Sequence, residues 1–221
     1  MPGRGIQGLP YAAPADDGLD LVYLDAALLV VNKPAGLLSV PGRGEEKQDC
    51  LTRRVQAAYP EALIVHRLDL ATSGLLVLAR SKEMQRRLSR LFAGRQVDKR
   101  YLAVVSGSLP TRVGQIDLPL GADWPRRPRQ KVDLLAGKPS LTRYQVLSHD
   151  PAGQTSRLAL WSETGRTHQL RVHLQAIGHP IVGDALYAGA AAERLLLHAE
   201  ELVFAHPESG QTMRFCCPAP F

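Results

Sequence analysis

The sequence predicts an α+β fold, with one large mixed β-sheet flanked by a few helices and loops. Six short apolar segments are separated by turn-forming residues, a pattern that is typical of strands. Three segments have helical periodicity, but they do not alternate with the strands as a regular β-α-β architecture requires. We therefore expect one domain over residues 19–221, preceded by a poorly ordered leader, rich in Gly, Pro and Ala, over residues 1–18.

The strand predictions follow the apolar segments along the chain. The first segment, Leu28–Val31, is followed by the turn residues Lys33-Pro34-Ala35-Gly36. The remaining strand segments are Leu75–Ala79, Tyr101–Val105, Leu141–Leu147, Leu158–Trp161 and Leu202–Phe204. Each is short, apolar and bounded by turn signals, so each suits a buried or half-buried strand of a large sheet.

The helix predictions depend on capping residues and on apolar spacing. The clearest helix covers Lys82–Ala93, with Ser81 as its N-cap and Gly94 at its C-terminal end. A second helix covers Cys50–Ala58. A third begins near Thr167, and the side chains that it turns toward the core are Leu170, Leu174 and Ile177.

The composition is that of an ordinary globular protein with a basic surface. Hydrophobic residues make up 45% of the 221, and no segment approaches the roughly 20 consecutive apolar residues of a membrane-spanning helix. Residues 1–14 lack the basic and apolar regions of a signal peptide, so we expect a cytoplasmic protein without membrane association. We also expect a monomer. Lys and Arg number 27 against 21 acidic residues, and the net charge of +6 favours a polyanionic partner.

The densest group of cations lies in residues 124–131, Trp-Pro-Arg-Arg-Pro-Arg-Gln-Lys, which we name the basic loop. Its two prolines exclude a regular helix. Like charges at this density repel one another, and a polyanion would relieve that repulsion. We therefore expect Arg126, Arg127 and Arg129 to contact phosphates, the alternative being a solvated charged surface.

The most informative segment is residues 66–80, in which polar residues precede an apolar strand. Asp69 lies there among His66, Arg67, Thr72 and Ser73. Cations and hydroxyl donors around a carboxylate keep it ionised and oriented, as a catalytic group requires. The alternative is a structural ion pair between Arg67 and Asp69, with the two hydroxyl residues forming a turn.

This segment resembles the catalytic motif of the RluA family of pseudouridine synthases, H-R-L-D-x-x-T-S-G-L-L-V-x-A, at every fixed position. The resemblance implies that Asp69 is the essential catalytic residue. It also implies that Arg67 enters the RNA helix where the target base leaves it.

Two further segments resemble the family's motifs in the same order. Residues 99–107 are similar to its K-x-Y-x-A-x-V-x-G strand, which implies that Tyr101 packs on the target uracil; spacing alone equally allows a core aromatic residue. By its place in the motif Tyr101 is also the nearest candidate catalytic base for the proton that leaves C5, although a phenol with a pKa of about 10 needs help to act so. Residues 164–174 are similar to its T-G-R-T-H-Q-[IL]-R-x-H block, which implies that Arg171 pairs with the catalytic Asp. Within these motifs we expect substrate RNA to be bound by His66, Arg67, Lys99, Arg166, Thr167 and His168.

The third block also has a physical interpretation of its own. Its Gly-Arg-Thr turn leads into a helix, whose N-terminus favours a carboxylate or a phosphate nearby. His168 and Arg171 are three residues apart and should share a face of that helix. A metal site built from His168, His173 and His179 does not fit the known ligand spacings, so we expect no metal.

The resemblance covers residues 19–221 and implies the catalytic fold of a pseudouridine synthase, without an S4 domain. Residues 32–43 and 119–125 resemble the family members that modify both a hairpin loop of 23S rRNA and the tRNA anticodon stem-loop, which implies this dual substrate. The isomerisation flips the target base and needs no cofactor. Two alternatives are a glycoside hydrolase, with Glu163 or Asp184 as a second carboxylate, and an RNA-binding protein without catalysis.

Overall fold

The computed structural model describes residues 11–221, in which twelve strands and three α-helices are present. The helices are α1 (Leu51–Ala58), α2 (Lys82–Ala93) and α3 (Gln169–Ala176). The strands are β1 (Leu21–Leu24), β2 (Leu28–Lys33), β3 (Leu63–Ile64), β4 (Ser73–Ala79), β5 (Asp98–Ser106), β6 (Val113–Asp117), β7 (Leu120–Ala122), β8 (Gln130–Val132), β9 (Leu141–Asp150), β10 (Thr155–Ser162), β11 (Leu197–Ala205) and β12 (Thr212–Cys216).

Ten of these strands form one mixed sheet. Its order is β1-β2-β4-β11-β5-β10-β9-β6, with β12 paired to β11 and β3 paired to β4. The pair β4–β11 is parallel, and the other pairs are antiparallel. The predicted α+β class is confirmed, and so are all six predicted strand segments. Strands β7 and β8 form a separate two-stranded ribbon.

The helix α2 has the bounds that its capping residues predict. The Ser81 side chain accepts a hydrogen bond of 3.2 Å from the Met84 amide, and the Gly94 amide donates to the Arg90 carbonyl over 2.7 Å. The helix α1 starts at Leu51, with Cys50 as its N-cap. The predicted start of α3 at Thr167 was wrong by two residues, because His168 has a φ of 54° and so breaks the helical conformation there.

A close approach of β4 and β11 holds the sheet together just beyond Asp69. Gly74 has a φ of 115°, and a Cβ atom on it would collide with the backbone of Ala199. Glycine alone accepts both the conformation and the contact. On the far side of β11, residues of β5 and β10 pack against Leu170 and Leu174 of α3. The sheet and α3 therefore enclose the region where Asp69 leads into β4.

The predicted leader lies partly outside the described residues, namely over 1–10. Residues 11–18 have no regular secondary structure, but they contact the domain. The Tyr11 hydroxyl donates to the Asp49 carbonyl over 2.9 Å, and Arg54 Nη2 donates to the Pro14 carbonyl over 2.6 Å. The domain boundary at residue 19 stays a prediction.

None of the helices formed by residues 11–221 is long and apolar enough to cross a membrane.

Candidate active site

A cleft of about 580 Å³ opens between the loop before β4, the end of α2, the start of β5 and the loop before α3. Eight of the residues predicted from the sequence line it: His66, Arg67, Asp69, Lys99, Tyr101, Arg166, His168 and Arg171. Four predicted residues do not line the cleft. Thr167, Arg126 and Arg127 are exposed, and Arg129 is half-buried. The structure thus brings the three motif segments together around one cavity of the size typical of a ligand site.

Asp69 is held at one side of this cleft through a single carboxylate oxygen. Its Oδ2 lies 3.4 Å from Arg171 Nη1 and 3.9 Å from His168 Nε2, and its side chain is 19% exposed. In residues 11–221 its ion-pair partners are these two side chains and not Arg67, so the alternative of a structural Arg67–Asp69 pair was wrong. Both ion-pair contacts are made through Oδ2, and Asp69 is one of the residues that line the cavity.

Arg171 is fixed by a second carboxylate beneath Asp69. Its Nε donates to Asp184 Oδ2 over 2.7 Å, and its Nη2 donates to Asp184 Oδ1 over 2.8 Å. Both side chains are buried. Burial acts to lower the pKa of Arg171, but the hydrogen bonds and charge of Asp184 outweigh it and raise that pKa, so the guanidinium stays charged.

The role of Asp184 as a hydrolase acid is excluded by these contacts. Its Oδ1 also accepts hydrogen bonds from the amides of Leu186 and Tyr187, over 3.0 and 3.2 Å. A carboxylate that is 2% exposed and engaged by four donor groups has no access to a substrate oxygen.

His168 and Arg171 both approach Oδ2 of Asp69, but the predicted shared helix face is not the reason, because His168 precedes α3 and has a left-handed backbone. Its other ring nitrogen, Nδ1, lies 2.7 Å from the hydroxyl of the buried Tyr187. Burial lowers the pKa of His168, and the opposing charge of Asp69 does not offset this. The imidazole is therefore neutral near pH 7.

Tyr101 lies on β5 with its side chain along the cleft wall. Burial raises its pKa to about 12, the negative charge of Asp69 adds to this, and an interaction with Ser162 opposes it. The phenol is therefore protonated at neutral pH. It presents an aromatic face and a neutral hydroxyl to the cavity rather than a ready base.

His66 is fixed by the scaffold on one side of the cleft. Its Nε2 accepts a hydrogen bond of 3.0 Å from the Val77 amide, and its ring stacks on Phe92 at 4.3 Å between centroids. Burial, and then the charge of Lys99, lower the pKa of His66 to about 3, so the ring is neutral. The exposed Arg67 stands beside it at the cavity wall.

Cations surround the cleft mouth. Lys99 and Arg166, which the sequence predicts to bind RNA, line the cleft, and the exposed Arg95 lines it as well. Burial lowers the pKa of Lys99. Arg166 Nε donates to the Pro139 carbonyl over 3.3 Å, which ties the Gly-Arg-Thr turn to the segment before β9. Glu163 is the second carboxylate of the lining, and Arg143 pairs with it at 3.3 Å.

The basic loop lies beside the cleft and is not a regular α-helix. Residues Trp124–Arg126 form a short 3-10 turn, and the loop ends in β8. Arg126 Nε pairs with Asp123 at 2.8 Å, so this cation already has an acidic partner. Arg127 stacks over the exposed Trp124 at 3.6 Å from the ring centroid.

The described residues offer no metal site: within 11–221, no three His, Cys, Asp or Glu side chains are grouped closely enough to hold an ion. His173, one member of the set considered from the sequence, is buried instead as a structural residue. Its Nδ1 lies 2.9 Å from Thr142 Oγ1 and its Nε2 lies 3.0 Å from the Leu118 carbonyl.

The contacts of two neighbours of the site, Asp184 with Arg171 and Lys33 beside Asp69, were not predicted from the sequence. Asp184 comes shortly after the buried residues Ile181 and Val182. An acidic residue next to an apolar segment is a signal that the acid is buried and paired with a cation, but it does not say which cation. Lys33 is wholly buried and donates to the carbonyls of Leu37 and, beside Asp69, Leu70, over 2.7 and 3.2 Å. Burial lowers the pKa of Lys33 to about 7. Nothing in its surrounding sequence signals this burial.

Comparison with known proteins places these features in a family. The family model described as RNA pseudouridylate synthase matches residues 27–176. Curated proteins named dual-specificity RNA pseudouridine synthase RluA are similar: that of Escherichia coli (strain K12) is 50% identical over 215 residues, 96% of this chain and 98% of that protein. The protein of the same name from Yersinia pestis is 52% identical over 205 residues, 91% of this chain and 99% of that protein.

A solved structure has a similar fold. Human RNA Pseudouridylate Synthase Domain Containing 1 superposes with a TM-score of 0.79 at 33% identity, over 95% of this chain and 87% of that chain. These matches confirm the resemblance of the motifs to the RluA family, and the chain belongs to the RNA pseudouridylate synthase family of isomerases.

Proposed function

We propose that the chain isomerises uridines in a hairpin loop of 23S rRNA and in the tRNA anticodon stem-loop, with Asp69 as the catalytic carboxylate. The observation that carries the proposal is the arrangement of Asp69, which lines the cavity while the buried Arg171 lies 3.4 Å from its Oδ2. The two RNA targets are those that the resemblance implies, and similar curated proteins are named for a dual specificity toward RNA.

The reaction requires that the N1–C1′ bond of uridine breaks, that the uracil turns, and that C5 joins C1′. C5 then loses its proton, and N1 gains one, so the isomerisation is balanced. Asp69 either attacks C1′ or removes the proton at C2′ to give a glycal, and both roles need an ionised carboxylate. The buried Arg171 supplies a positive charge at 3.4 Å and restricts the side chain. No group is transferred from outside and no electrons are exchanged, so the chemistry needs no cofactor.

The target uridine must leave its stack before Asp69 can reach C1′, at a cost of roughly a few kcal/mol. Tyr101 offers an aromatic face in the cleft on which the uracil stacks, and Arg67 fills the gap that the base leaves. His66, whose nitrogen is already bonded to the Val77 amide, shapes the cleft wall beside the flipped nucleotide.

The remaining cations and polar groups bind the RNA around that nucleotide. Lys99, Arg166 and His168 lie within the cleft and contact the target strand, whereas Thr167 is exposed beside it. In the basic loop, Arg126, Arg127 and Arg129 contact phosphates farther out. We also infer that the protein acts as a monomer, in the cytoplasm, where its RNA substrates are made.

Tritium release from RNA labelled at C5 of uridine tests this function, because forming the C5–C1′ bond expels the label. Asp69→Asn keeps the side-chain shape but removes its charge, so release should vanish while RNA binding survives. Glu163→Gln is the matched control, since it neutralises the other carboxylate of the lining. A glycoside hydrolase would need two carboxylates and would liberate free uracil. Release by Asp69→Asn at the wild-type rate would remove Asp69 from the chemistry.

A further inference from the structure

Tyr187 connects the basic loop to the group around Asp69. Its hydroxyl lies 2.8 Å from the Gln130 amide, in the basic loop, and 2.7 Å from His168 Nδ1, at the start of α3. The side chain is 1% exposed and lies outside the cleft lining, so it does not touch a bound nucleotide. We propose that Tyr187 is a positioning residue that fixes His168 as the Nε2–H tautomer and thereby couples the basic loop to Asp69.

The proton count at the Tyr187 hydroxyl supports this assignment. A backbone amide can only donate, so the hydroxyl oxygen accepts from Gln130. The hydroxyl has one proton, and of its two partners in residues 11–221 only His168 Nδ1 can accept it. A neutral imidazole that accepts at Nδ1 carries its proton on Nε2. Burial of His168 lowers its pKa and so favours this neutral form.

The fixed tautomer determines what His168 presents to Asp69. Its Nε2 is 3.9 Å from Asp69 Oδ2, longer than a hydrogen bond but with the N–H next to the carboxylate. The other tautomer would place a nitrogen lone pair beside a negative charge, which is repulsive. The Nε2–H group can therefore donate to Asp69, or to a substrate oxygen that enters between His168 and Asp69. Because Nε2 already carries a proton, the ring cannot act as a base at that nitrogen.

The same residue touches the two arginines that flank the site. The guanidinium of Arg129 lies 5.3 Å from the centre of the Tyr187 ring, and that of Arg171 lies 5.1 Å from it. The Tyr187 amide also donates to Asp184, the residue that holds Arg171. A displacement of the basic loop therefore acts on His168 and Arg171 through one buried side chain.

A spectroscopic experiment tests the tautomer without RNA or turnover. In the full chain labelled with ¹⁵N at histidine, a long-range ¹H–¹⁵N correlation spectrum near pH 7 reports which ring nitrogen carries the proton, and a His168→Gln spectrum assigns the signal. We expect Nε2–H in the wild type. In the Asp69→Asn background, which removes the charge that also favours Nε2–H, we expect the same tautomer with Tyr187 present and a mixture of tautomers in Tyr187→Phe, which retains the ring. A wild type protonated on Nδ1, or a tautomer unchanged in Tyr187→Phe, would overturn the proposal.

Kinetics test the coupling, which rests on the proposed function. The loss of one neutral hydrogen bond in Tyr187→Phe should lower kcat about tenfold and change KM less. Tyr144→Phe is the matched control, because it removes a buried tyrosine hydroxyl, 2.8 Å from Thr111 Oγ1, outside the cleft. An increase in KM alone would mean that Tyr187 only holds the loop. Absence of turnover in the wild type would refute the proposed function and leave the tautomer result standing.

Substitution of His168 itself provides a second variant series. The amide nitrogen of Gln can occupy the place of Nε2, whereas Asn is shorter but better suited to the left-handed backbone at this position. We expect His168→Gln to retain more of kcat than His168→Asn. Equal activity, or a more active His168→Asn, would show that the donor at Nε2 has no role.

Discussion

Asp184 accepts two parallel hydrogen bonds from Arg171, over 2.7 and 2.8 Å, and the remaining nitrogen of the same guanidinium, Nη1, contacts Asp69. One buried arginine thus bridges two carboxylates of different exposure. The inner carboxylate compensates the buried charge, and the outer one is oriented for chemistry. Bidentate contacts of this kind restrict direction as well as position, because the planar guanidinium cannot rotate without breaking both bonds.

Replacement of the inner carboxylate should damage the fold and the activity together. Asp184→Asn leaves the buried Arg171 charge with only the more distant Asp69 as a counter-ion, and removing one partner of a buried pair typically costs about 3–5 kcal/mol. We expect a decrease of about that size in the free energy of unfolding by urea, with loss of tritium release. The control Glu83→Gln removes the partner of two exposed arginines and should change stability far less. If Asp184→Asn and Glu83→Gln lost the same free energy of unfolding, burial of the Arg171–Asp184 pair would not be the cause of the destabilisation.

The buried His66 predicts how the free energy of unfolding changes at acidic pH. The folded-state pKa of His66 is about 3, below the ordinary value of 6.5, so from pH 6.5 downward the unfolded chain binds a proton that the folded chain does not. Stability from this residue is therefore present above pH 6.5 and declines as the pH falls toward 3. Its largest contribution to the slope is about 1.4 kcal/mol per pH unit.

Urea unfolding measured at several pH values between 7 and 5 checks the His66 prediction. The variant His66→Gln retains an acceptor for the Val77 amide but does not titrate. We expect its free energy of unfolding to fall less steeply with decreasing pH than that of the wild type. Burial also lowers the pKa of His173 and His198, so part of the slope should remain. Identical slopes for the variant and the wild type would contradict the assignment.

Sequence patterns predicted the elements whose signals are local. The helix α2 has its cap, its periodicity and its terminal glycine within one segment, and its bounds were predicted correctly. The start of α3 was not, because the left-handed conformation of His168 accompanies a contact with Tyr187, 19 residues away. Strand β8 was missed because it is three residues long and starts within the polar basic loop, whereas β1 is an apolar segment of four residues that the strand predictions did not include.

The site was predicted through its motif segments rather than its contacts. The resemblance implied that Arg171 pairs with the catalytic Asp, and the structure places the two side chains 3.4 Å apart although 102 residues separate them. The bridge from Arg171 to Asp184 could not be derived from spacing, because residues 13 apart across a helix end and a turn have no fixed relative position. The contacts of His168 with Tyr187 on one side and Asp69 on the other likewise depend on tertiary packing and could not be derived from spacing.

Tyr101 is expected to bind the uracil through its ring. In the Asp69→Asn background, where turnover does not interfere, Tyr101→Phe should bind RNA nearly as well as the parent. Tyr101→Ala should lose about 1–3 kcal/mol of binding free energy, the usual value of one base–aromatic stack. Fluorescence anisotropy with a labelled stem-loop measures both. Equal weakening by the two substitutions would assign the contribution to the hydroxyl, whose pKa of about 12 keeps it protonated.

Salt dependence distinguishes the arginines of the basic loop, because each phosphate that a cation neutralises releases counter-ions. Arg127 stacks on the exposed Trp124, whereas Arg126 is already paired with Asp123 at 2.8 Å. Arg127→Gln should therefore reduce the slope of log K against log salt by about 0.7–0.9, the value for one phosphate contact. Arg126→Gln, its neighbour in the same loop, should reduce the slope less.

The triple variant of Arg126, Arg127 and Arg129 tests the whole loop. Its slope should fall by at most about 2–3. Turnover on saturating RNA should change little, because these side chains lie outside the cleft and the substitutions retain the backbone contact of Gln130 with Tyr187. Arg67 lines the cleft, so Arg67→Ala should weaken turnover more than binding. An unchanged slope in the triple variant would assign the basic loop to the solvated surface, since a cation that displaces no counter-ions does not contact phosphate.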